Sequence, residues 1–273
     1  MPNSQNILLV GCGKMGGAML RGWLARGIDA AGVRVVEPFD EAAEALRGEL
    51  SVTVVSSAAE LDAAFLPDIV VFAVKPQGMD DIVPAYAGPL TRDAVVLSIA
   101  AGRNIGFFET HLGPAVAIVR TMPNTPAAVG RGITAACANA NVSADQRTAC
   151  QSLLEAVGEV VWVDDEDLID PVTAVSGSGP AYVFWMIECL ARAGEAQGLP
   201  AETSEKLARA TVAGAGELAR LSDETAETLR VNVTSPGGTT AAALEVLMAD
   251  DGLGDLMNRA VEAATVRSRE LAG

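Results

Sequence analysis

Ile7-Leu8-Leu9-Val10-Gly11-Cys12-Gly13-Lys14-Met15-Gly16 stands near the head of the chain. Four apolar residues run unbroken into three glycines spaced GxGxxG, and the next segment, Met15–Arg26, has helical spacing. A short continuous apolar run suits a strand covered on both faces. Strand, glycine turn and helix in that order open a dinucleotide-binding fold. The glycines have separate roles, namely a tight turn, close approach of backbone to a pyrophosphate, and contact between helix and sheet. The pyrophosphate would meet the free N–H groups and positive end of the helix. Gly11, Cys12, Gly13, Lys14, Met15 and Gly16 are therefore candidate cofactor-binding residues. GxGxxG alone also fits a ligand-free glycine turn; the flanking strand and helix, and an acidic residue further on, favour the dinucleotide.

Working outward, Val33–Val36 reads as a second strand and Pro38–Leu50 as a second helix. Val52–Val55, Ile69–Val74, Ala94–Ile99 and Ala117–Val119 read as further strands, with Gly132–Ala138 and Glu159–Val163 as late additions. Strand–helix alternation with Val/Ile-rich runs predicts an α/β fold, a Rossmann-type doubly wound parallel sheet over residues 1–165. The character changes at the acidic run Asp164–Asp167. Beyond it the pattern predicts helices at Pro180–Gln197, Ala201–Leu221, Asp223–Val231, Thr239–Ala249 and Leu253–Leu271, an all-α domain over 166–273. Ala208, Ala210, Ala213, Gly214, Ala215 and Gly216 crowd the second of these helices. Glycine inside a helix costs about 1 kcal/mol relative to alanine. Close packing on several sides would compensate, part of it from a second subunit, so this domain is expected to dimerise.

A chain of 273 residues, half of them hydrophobic, can bury two such cores. Its net charge of −16 is spread along the chain and opposes nucleic-acid and anionic-membrane partners. No apolar run reaches the length of a membrane span. Four scattered cysteines and a single histidine, His111, make no zinc pattern, and no metal site is expected. The polar start Met1–Asn6 leads straight into the first strand, so no secretory leader is expected and the cytoplasm is the default compartment.

Glu37 ends the second strand, where a carboxylate can accept hydrogen bonds from an adenosine ribose and would repel a 2′-phosphate. Pro38-Phe39-Asp40-Glu41 offers no Arg, Lys or Ser for that phosphate. The expected cofactor is NAD(P)H, with NADH preferred on the strength of Glu37; a carboxylate that merely organises a solvated loop is the other reading. Ala73-Val74-Lys75-Pro76 and Met122-Pro123-Asn124-Thr125 also follow strands, and in open α/β sheets ligands bind beyond the carboxyl ends of strands. Both segments are candidate cofactor contacts, the stiff second loop suiting placement of the nicotinamide. Either could instead be an ordinary turn.

Two segments of the helical part are richer in Ser, Gly and Thr than packing requires: Ser176-Gly177-Ser178-Gly179-Pro180-Ala181-Tyr182 and Val233-Thr234-Ser235-Pro236-Gly237-Gly238-Thr239-Thr240. Both precede helices, and main-chain N–H groups there can receive a carboxylate without a basic side chain. Thr239 or Thr240 could simply cap the following helix, which would leave Pro236-Gly237-Gly238 unexplained. Ser176, Gly177, Ser178, Ser235, Pro236, Gly237, Gly238, Thr239 and Thr240 are thus candidate substrate-binding residues. Ketone reduction wants a strong proton donor such as His or Lys. Here there are only Lys14, Lys75, Lys206 and His111, and the Lys-x-x-x-Asn of hydroxy-acid dehydrogenases is absent, with Ala at position 210. A C=N bond needs less help, because its nitrogen can arrive protonated.

On these residues the sequence resembles pyrroline-5-carboxylate reductases over essentially its full length. The matching stretches are Gly11–Gly16 (GCGKMG), Ala73–Gln77 (AVKPQ), Arg120–Pro126 (RTMPNTP), Ala174–Tyr182 (AVSGSGPAY), Asn232–Thr240 (NVTSPGGTT) and Ala260–Leu271 (AVEAATVRSREL). Residues 233–240 match the family signature. The resemblance implies NAD(P)H-dependent reduction of 1-pyrroline-5-carboxylate to L-proline, the last step of proline biosynthesis. It implies that main-chain groups of Ser235–Thr240 hold the carboxylate, that the Thr240 hydroxyl, the catalytic candidate, bonds the ring nitrogen, and that Ser176–Gly179 line the same pocket. It also implies interlocked homodimers, often assembled into rings, with the active site between one subunit's nucleotide domain and its partner's helices. One departure is the Glu37-Pro38-Phe39-Asp40 loop, where many NADPH-preferring relatives carry Ser and Arg. Alternatives are an imine reductase of other substrate range on the same scaffold, or a non-catalytic nucleotide-binding regulator, which would have no need of Thr240.

Overall fold

The structure is a computed structural model that describes residues 5–272. Eight strands form one sheet: β1 (Ile7–Val10), β2 (Val33–Val36), β3 (Thr53–Val55), β4 (Ile69–Phe72), β5 (Val95–Ser98), β6 (Ala117–Met122), β7 (Gly132–Ala138) and β8 (Gly158–Trp162). Their spatial order is β3-β2-β1-β4-β5-β6-β7-β8. Every neighbouring pair is parallel except β6 and β7, which are antiparallel. The expected doubly wound parallel sheet is present, with this one reversal added. Chain length explains the reversal: only residues 123–131 separate β6 from β7, too few for a parallel crossover.

Helices α1 (Lys14–Ala25), α2 (Asp40–Glu49), α3 (Met79–Ile82), α4 (Ile105–Leu112), α5 (Ala144–Glu155) and α6 (Ile169–Val172) accompany the sheet. Strand residues alternate between two buried layers. Ile7 and Leu9 of β1 pack with Met19, Leu20 and Trp23 of α1 and with Leu153 and Leu154 of α5. Leu8 and Val10 face Phe72, Met79, Tyr86 and Phe108 on the other side. Burial on both faces is why these strands read as unbroken apolar runs. The α4 and α5 starts carry side-chain caps. Asn104 Oδ1 accepts from the Phe107 N–H at 2.8 Å. Ser143 and Gln146 form a reciprocal capping box.

By contacts the chain divides into two units: residues through Gly177 together with those from Ala264 onward, and Ser178–Ala263. The change of sequence character at 165/166 marks where strands stop, whereas contacts with the sheet continue past it. Glu166 Oε1 accepts from buried Arg120 and from the Ile105 N–H, both at 2.8 Å. Asp170 Oδ1 accepts from the buried Ser268 hydroxyl at 2.6 Å. A π-helical turn, Thr173–Gly177, closes this unit's main segment.

The second unit is all helical: α7 (Gly179–Ala196), α8 (Ala201–Leu221), α9 (Ala226–Asn232), α10 (Thr239–Leu247) and the first turns of α11 (Leu253–Ala272). Ser204 of α8 donates to the Ala191 carbonyl of α7 at 2.6 Å. Among the described residues, a single chain buries only Ala191, Ser204 and Ala208 within this unit. Phe184, Trp185 and Met186 remain 60%, 54% and 45% exposed. Ala213, Gly214, Ala215 and Gly216 of α8 are also uncovered within one chain.

Trp23 ties α1 to α5, its indole N–H donating to the Leu153 carbonyl at 3.0 Å from a fully buried ring. Trp23→Ala is expected to lower stability by about 3–5 kcal/mol. Trp23→Phe, which keeps most packing but leaves the Leu153 carbonyl unpaired, should cost about 1–3 kcal/mol. Urea unfolding at fixed protein concentration checks both; a Trp23→Phe variant as stable as wild type would mean the hydrogen bond contributes nothing.

Candidate functional site

The sheet order reverses between β1 and β4, and the segments leaving those two strands flank the crevice where such sheets bind ligands. Gly11 leaves β1 with its N–H on the Val36 carbonyl at 2.9 Å, and Ala73 leaves β4 with its N–H on the Val10 carbonyl at 2.8 Å. The two turns touch. A Cβ at Gly11, whose φ is +84°, would lie 2.6 Å from Val74 Cγ1, and one at Gly16 would lie 2.6 Å from the Gly11 carbonyl oxygen. Side chains are excluded at both positions by the protein itself.

Gly13 is different. Its φ of −67° and ψ of −160° suit any residue, and a Cβ there would meet nothing within 4 Å. The first turn of α1 has neither an acidic residue nor a side-chain cap. Bare main-chain N–H groups at a helix start, beside a position kept free of a side chain for no internal reason, fit a dinucleotide pyrophosphate.

Glu37 is 5% exposed. Its Oε2 accepts from the Cys12 N–H at 2.9 Å and its Oε1 from the Phe39 N–H at 3.2 Å. The carboxylate therefore braces the glycine turn against the end of β2. Arg34, the one cation near this loop in sequence, is engaged elsewhere: its Nη1 donates to the Ala31 and Val33 carbonyls, and its guanidinium lies over the Phe65 ring. The Cys12 thiol is pushed up to about 11 by burial and then by the Glu37 charge, so it is a thiol at neutral pH and a poor nucleophile.

Lys75 is exposed, and the Pro76 carbonyl beside it accepts from Arg103 Nε and Nη2 at 3.1 and 2.9 Å. Arg103 pairs with Asp80 and stacks on Phe107. Arg103 thus fixes the loop after β4, a role the sequence does not signal because its partners lie far away in the chain. In the loop after β6, Asn124 accepts from the Ile133 N–H at 3.0 Å through Oδ1 and donates through Nδ2 to Ser176 Oγ at 3.2 Å. The Met122–Thr125 and Ser176–Gly177 segments therefore meet within one unit. Sequence reading names both but does not join them.

In the helical unit, Thr239 and Thr240 occupy the first two positions of α10, and the residue before them, Gly238, gives no side-chain cap. The first turn of α10 also lacks an acidic residue. The threonines therefore do not act as the N-cap of α10, and neither a capping side chain nor an acidic residue serves this helix start. His111 lies in the last turn of α4 with Nδ1 against the Phe107 carbonyl at 2.8 Å, a structural placement. All four cysteines are free, and among the described residues no helix is long and apolar enough to cross a membrane.

Comparison with known proteins bears on this arrangement. A family model for pyrroline-5-carboxylate reductase dimerisation matches residues 166–271, and one for coenzyme F420-dependent NADP oxidoreductases matches residues 6–102. A pyrroline-5-carboxylate reductase from Pseudomonas aeruginosa is 42% identical over 270 residues, covering 99% of this chain and 98% of the relative. The structure of a pyrroline-5-carboxylate reductase from Coxiella burnetii is 36% identical with a TM-score of 0.91, covering 99% of both chains. The Plasmodium falciparum pyrroline carboxylate reductase, solved with NADP bound, is 32% identical with a TM-score of 0.83 and 99% coverage of both.

Gly13→Ala should leave the thermal midpoint unchanged, since its Cβ meets open space, yet weaken dinucleotide binding at least tenfold in a fluorescence titration. Gly16→Ala, whose Cβ would strike the Gly11 carbonyl, should lower the midpoint as well. If Gly13→Ala bound dinucleotide as wild type does, the pyrophosphate would not lie over this position.

Proposed function

This chain belongs to the pyrroline-5-carboxylate reductase family, and on that premise we propose which of its residues carry each part of the reaction. The protein is an NAD(P)H-dependent oxidoreductase acting on a C=N bond: it reduces 1-pyrroline-5-carboxylate to L-proline, completing proline biosynthesis. The full-length match to curated reductases carries this conclusion. The bound reduced nicotinamide supplies the hydride that the ring carbon of the C=N bond takes up.

Gly11, Cys12, Gly13, Lys14, Met15 and Gly16 form the turn that holds the pyrophosphate, which meets the main-chain N–H groups at the start of α1, while the Gly11 and Cys12 N–H groups brace the turn on Val36 and Glu37. Ala73, Val74, Lys75 and Pro76 wall the same crevice, and Met122, Pro123, Asn124 and Thr125 bound its nicotinamide end. The substrate carboxylate is received by Ser235, Pro236, Gly237, Gly238, Thr239 and Thr240, a reading supported by the uncapped start of α10. Ser176, Gly177 and Ser178 line the substrate pocket. The Thr240 hydroxyl accepts a hydrogen bond from the protonated ring nitrogen and keeps the adjacent carbon at the right attitude. This division asks for no strong general acid, which accords with the structural placement of His111.

NADH is the preferred cofactor. The Glu37 carboxylate, held by two main-chain N–H groups, would repel a 2′-phosphate, and Arg34 is turned to other partners. The working form is a homodimer joined through the helical domain, with a ring of dimers as the larger assembly. The exposed Phe184, Trp185 and Met186, and the bare small-residue stretch of α8, are surfaces that such a partner would cover. The compartment is the cytoplasm, in keeping with four unpaired cysteines.

Two measurements test this division. Steady-state kcat/KM should be about tenfold higher with NADH than with NADPH, the scale of one close like-charge contact at a partly solvated site; the reverse order would remove Glu37 from its discriminating role. Thr240→Ala should lower kcat for pyrroline-5-carboxylate by about a hundredfold while leaving the dissociation constant of the cofactor unchanged. Full turnover in that variant would take Thr240 out of the reaction.

A further inference from the structure

The carboxamide of Asn124 is anchored at both ends within the protein. Its Oδ1 receives the Ile133 N–H at 3.0 Å, which fixes which way round the amide lies, so its Nδ2 must donate to Ser176 Oγ at 3.2 Å. A serine oxygen that accepts this bond keeps its own proton for another partner. The position of that oxygen is further restricted by its surroundings. Ser176 belongs to the π-helical turn Thr173–Gly177, a rare geometry that concentrates at functional sites. The next residue, Gly177, lies so close to Met122 that an added Cβ would stand 2.5 Å from the methionine methyl carbon. The turn is also held by the Thr173 hydroxyl, which donates to the Ile169 carbonyl at 2.7 Å. Ser176 itself is only partly buried, so its hydroxyl can meet a ligand.

We propose that Asn124 is a positioning residue that fixes Ser176 as a hydrogen-bond donor to the carboxylate of the substrate. The inference deepens the site assignment above and rests on Ser176 lining the substrate pocket. The chemistry follows from the polarity of the chain of bonds. Ile133 N–H gives to Asn124 Oδ1, Asn124 Nδ2 gives to Ser176 Oγ, and Ser176 O–H is left to give to an acceptor. A protonated ring nitrogen is a donor and would not need such a hydroxyl; an acid oxygen would. The Asn124 carboxamide thereby serves the substrate, while the main chain of its loop, which an alanine keeps, bounds the nicotinamide end of the crevice. A hydroxyl held in advance gives its full bond to the charged ligand, whereas a free rotor must first be ordered.

The test is a double-mutant cycle read in steady-state kinetics on the intact enzyme, with cyclopentanecarboxylate, a ring acid without the nitrogen, as a competitive probe. Ser176→Ala should raise KM for pyrroline-5-carboxylate and the inhibition constant of the probe about tenfold, the scale of one hydrogen bond to a charged group. Asn124→Ala should raise both about threefold. The double variant should do no more than Ser176→Ala alone. KM for the cofactor should stay constant throughout, which a loosened fold would not allow. Additive effects, or cofactor and substrate KM rising together, would overturn the proposal. Asn124→Asp guards against an unfolded alanine variant. It keeps the acceptor for the Ile133 N–H but turns the serine proton towards itself, so KM for the substrate should rise at least as far as in Ser176→Ala; a wild-type KM there would also overturn it. If instead wild-type Ser176 proves irrelevant to both the substrate and the probe, the pocket assignment itself is at fault and not the Asn124 link.

Discussion

The architecture depends on one close approach: the turn after β1 lies directly against the turn after β4, with no side chain between them at positions 11 and 16. The two strands are hydrogen-bonded neighbours, so the backbones leaving them have little lateral room. Gly11 and Gly16 let α1 start there and aim its bare N–H groups into the crevice. Gly13 then leaves open space at the place a phosphate would occupy. Glu37 strengthens the arrangement from the side by gripping the Cys12 N–H. On the reading proposed above, a 2′-phosphate would approach that same carboxylate, so one residue would link the shape of the turn to the choice of cofactor.

The same unit contains polar connections that hold loops in place. Arg103 carries the loop after β4 through the Pro76 carbonyl. Arg120 is buried in β6 and pairs with Glu166, whose other bond is to the first N–H of α4. Breaking such a pair would strand a charge in the core, so these bonds fix geometry more than they add stability. Asn124 extends the same logic to Ser176. In each case side-chain bonds tie one segment of the sheet unit to another distant in sequence.

The helical unit follows a different rule. Within one chain, α7 and α8 bury little beyond Ala191, Ser204 and Ala208, and large apolar side chains stand open to water. Area of that kind stabilises a fold only when something covers it, at roughly 25 cal/mol per Å². Its cover must therefore come from outside the unit, which accords with the match of residues 166–271 to a dimerisation family. The small residues of α8 permit another helix to come near; they do not select the partner by themselves.

Much of this was legible in the sequence. Strand runs at Ile7–Val10 and Val33–Val36 and the helix Ala201–Leu221 have the predicted bounds, because continuous burial and uninterrupted helical spacing leave few alternatives. The glycine turn and the uncapped threonines of α10 were likewise readable as short motifs. The antiparallel turn-back of β7, the contacts that carry the sheet unit past residue 165, and the roles of Arg103, Arg120 and Glu166 were not. They rest on partners between 13 and 98 positions apart, from Met122 with Ala135 in the β6–β7 pairing to Asp170 with Ser268, with Arg103–Asp80 and Glu166–Ile105 between those limits. Periodicity and motif spacing report what a residue does with its near neighbours along the chain. Which distant carbonyl an arginine reaches, or which hydroxyl an asparagine holds, is decided only when the sheet order brings those segments together.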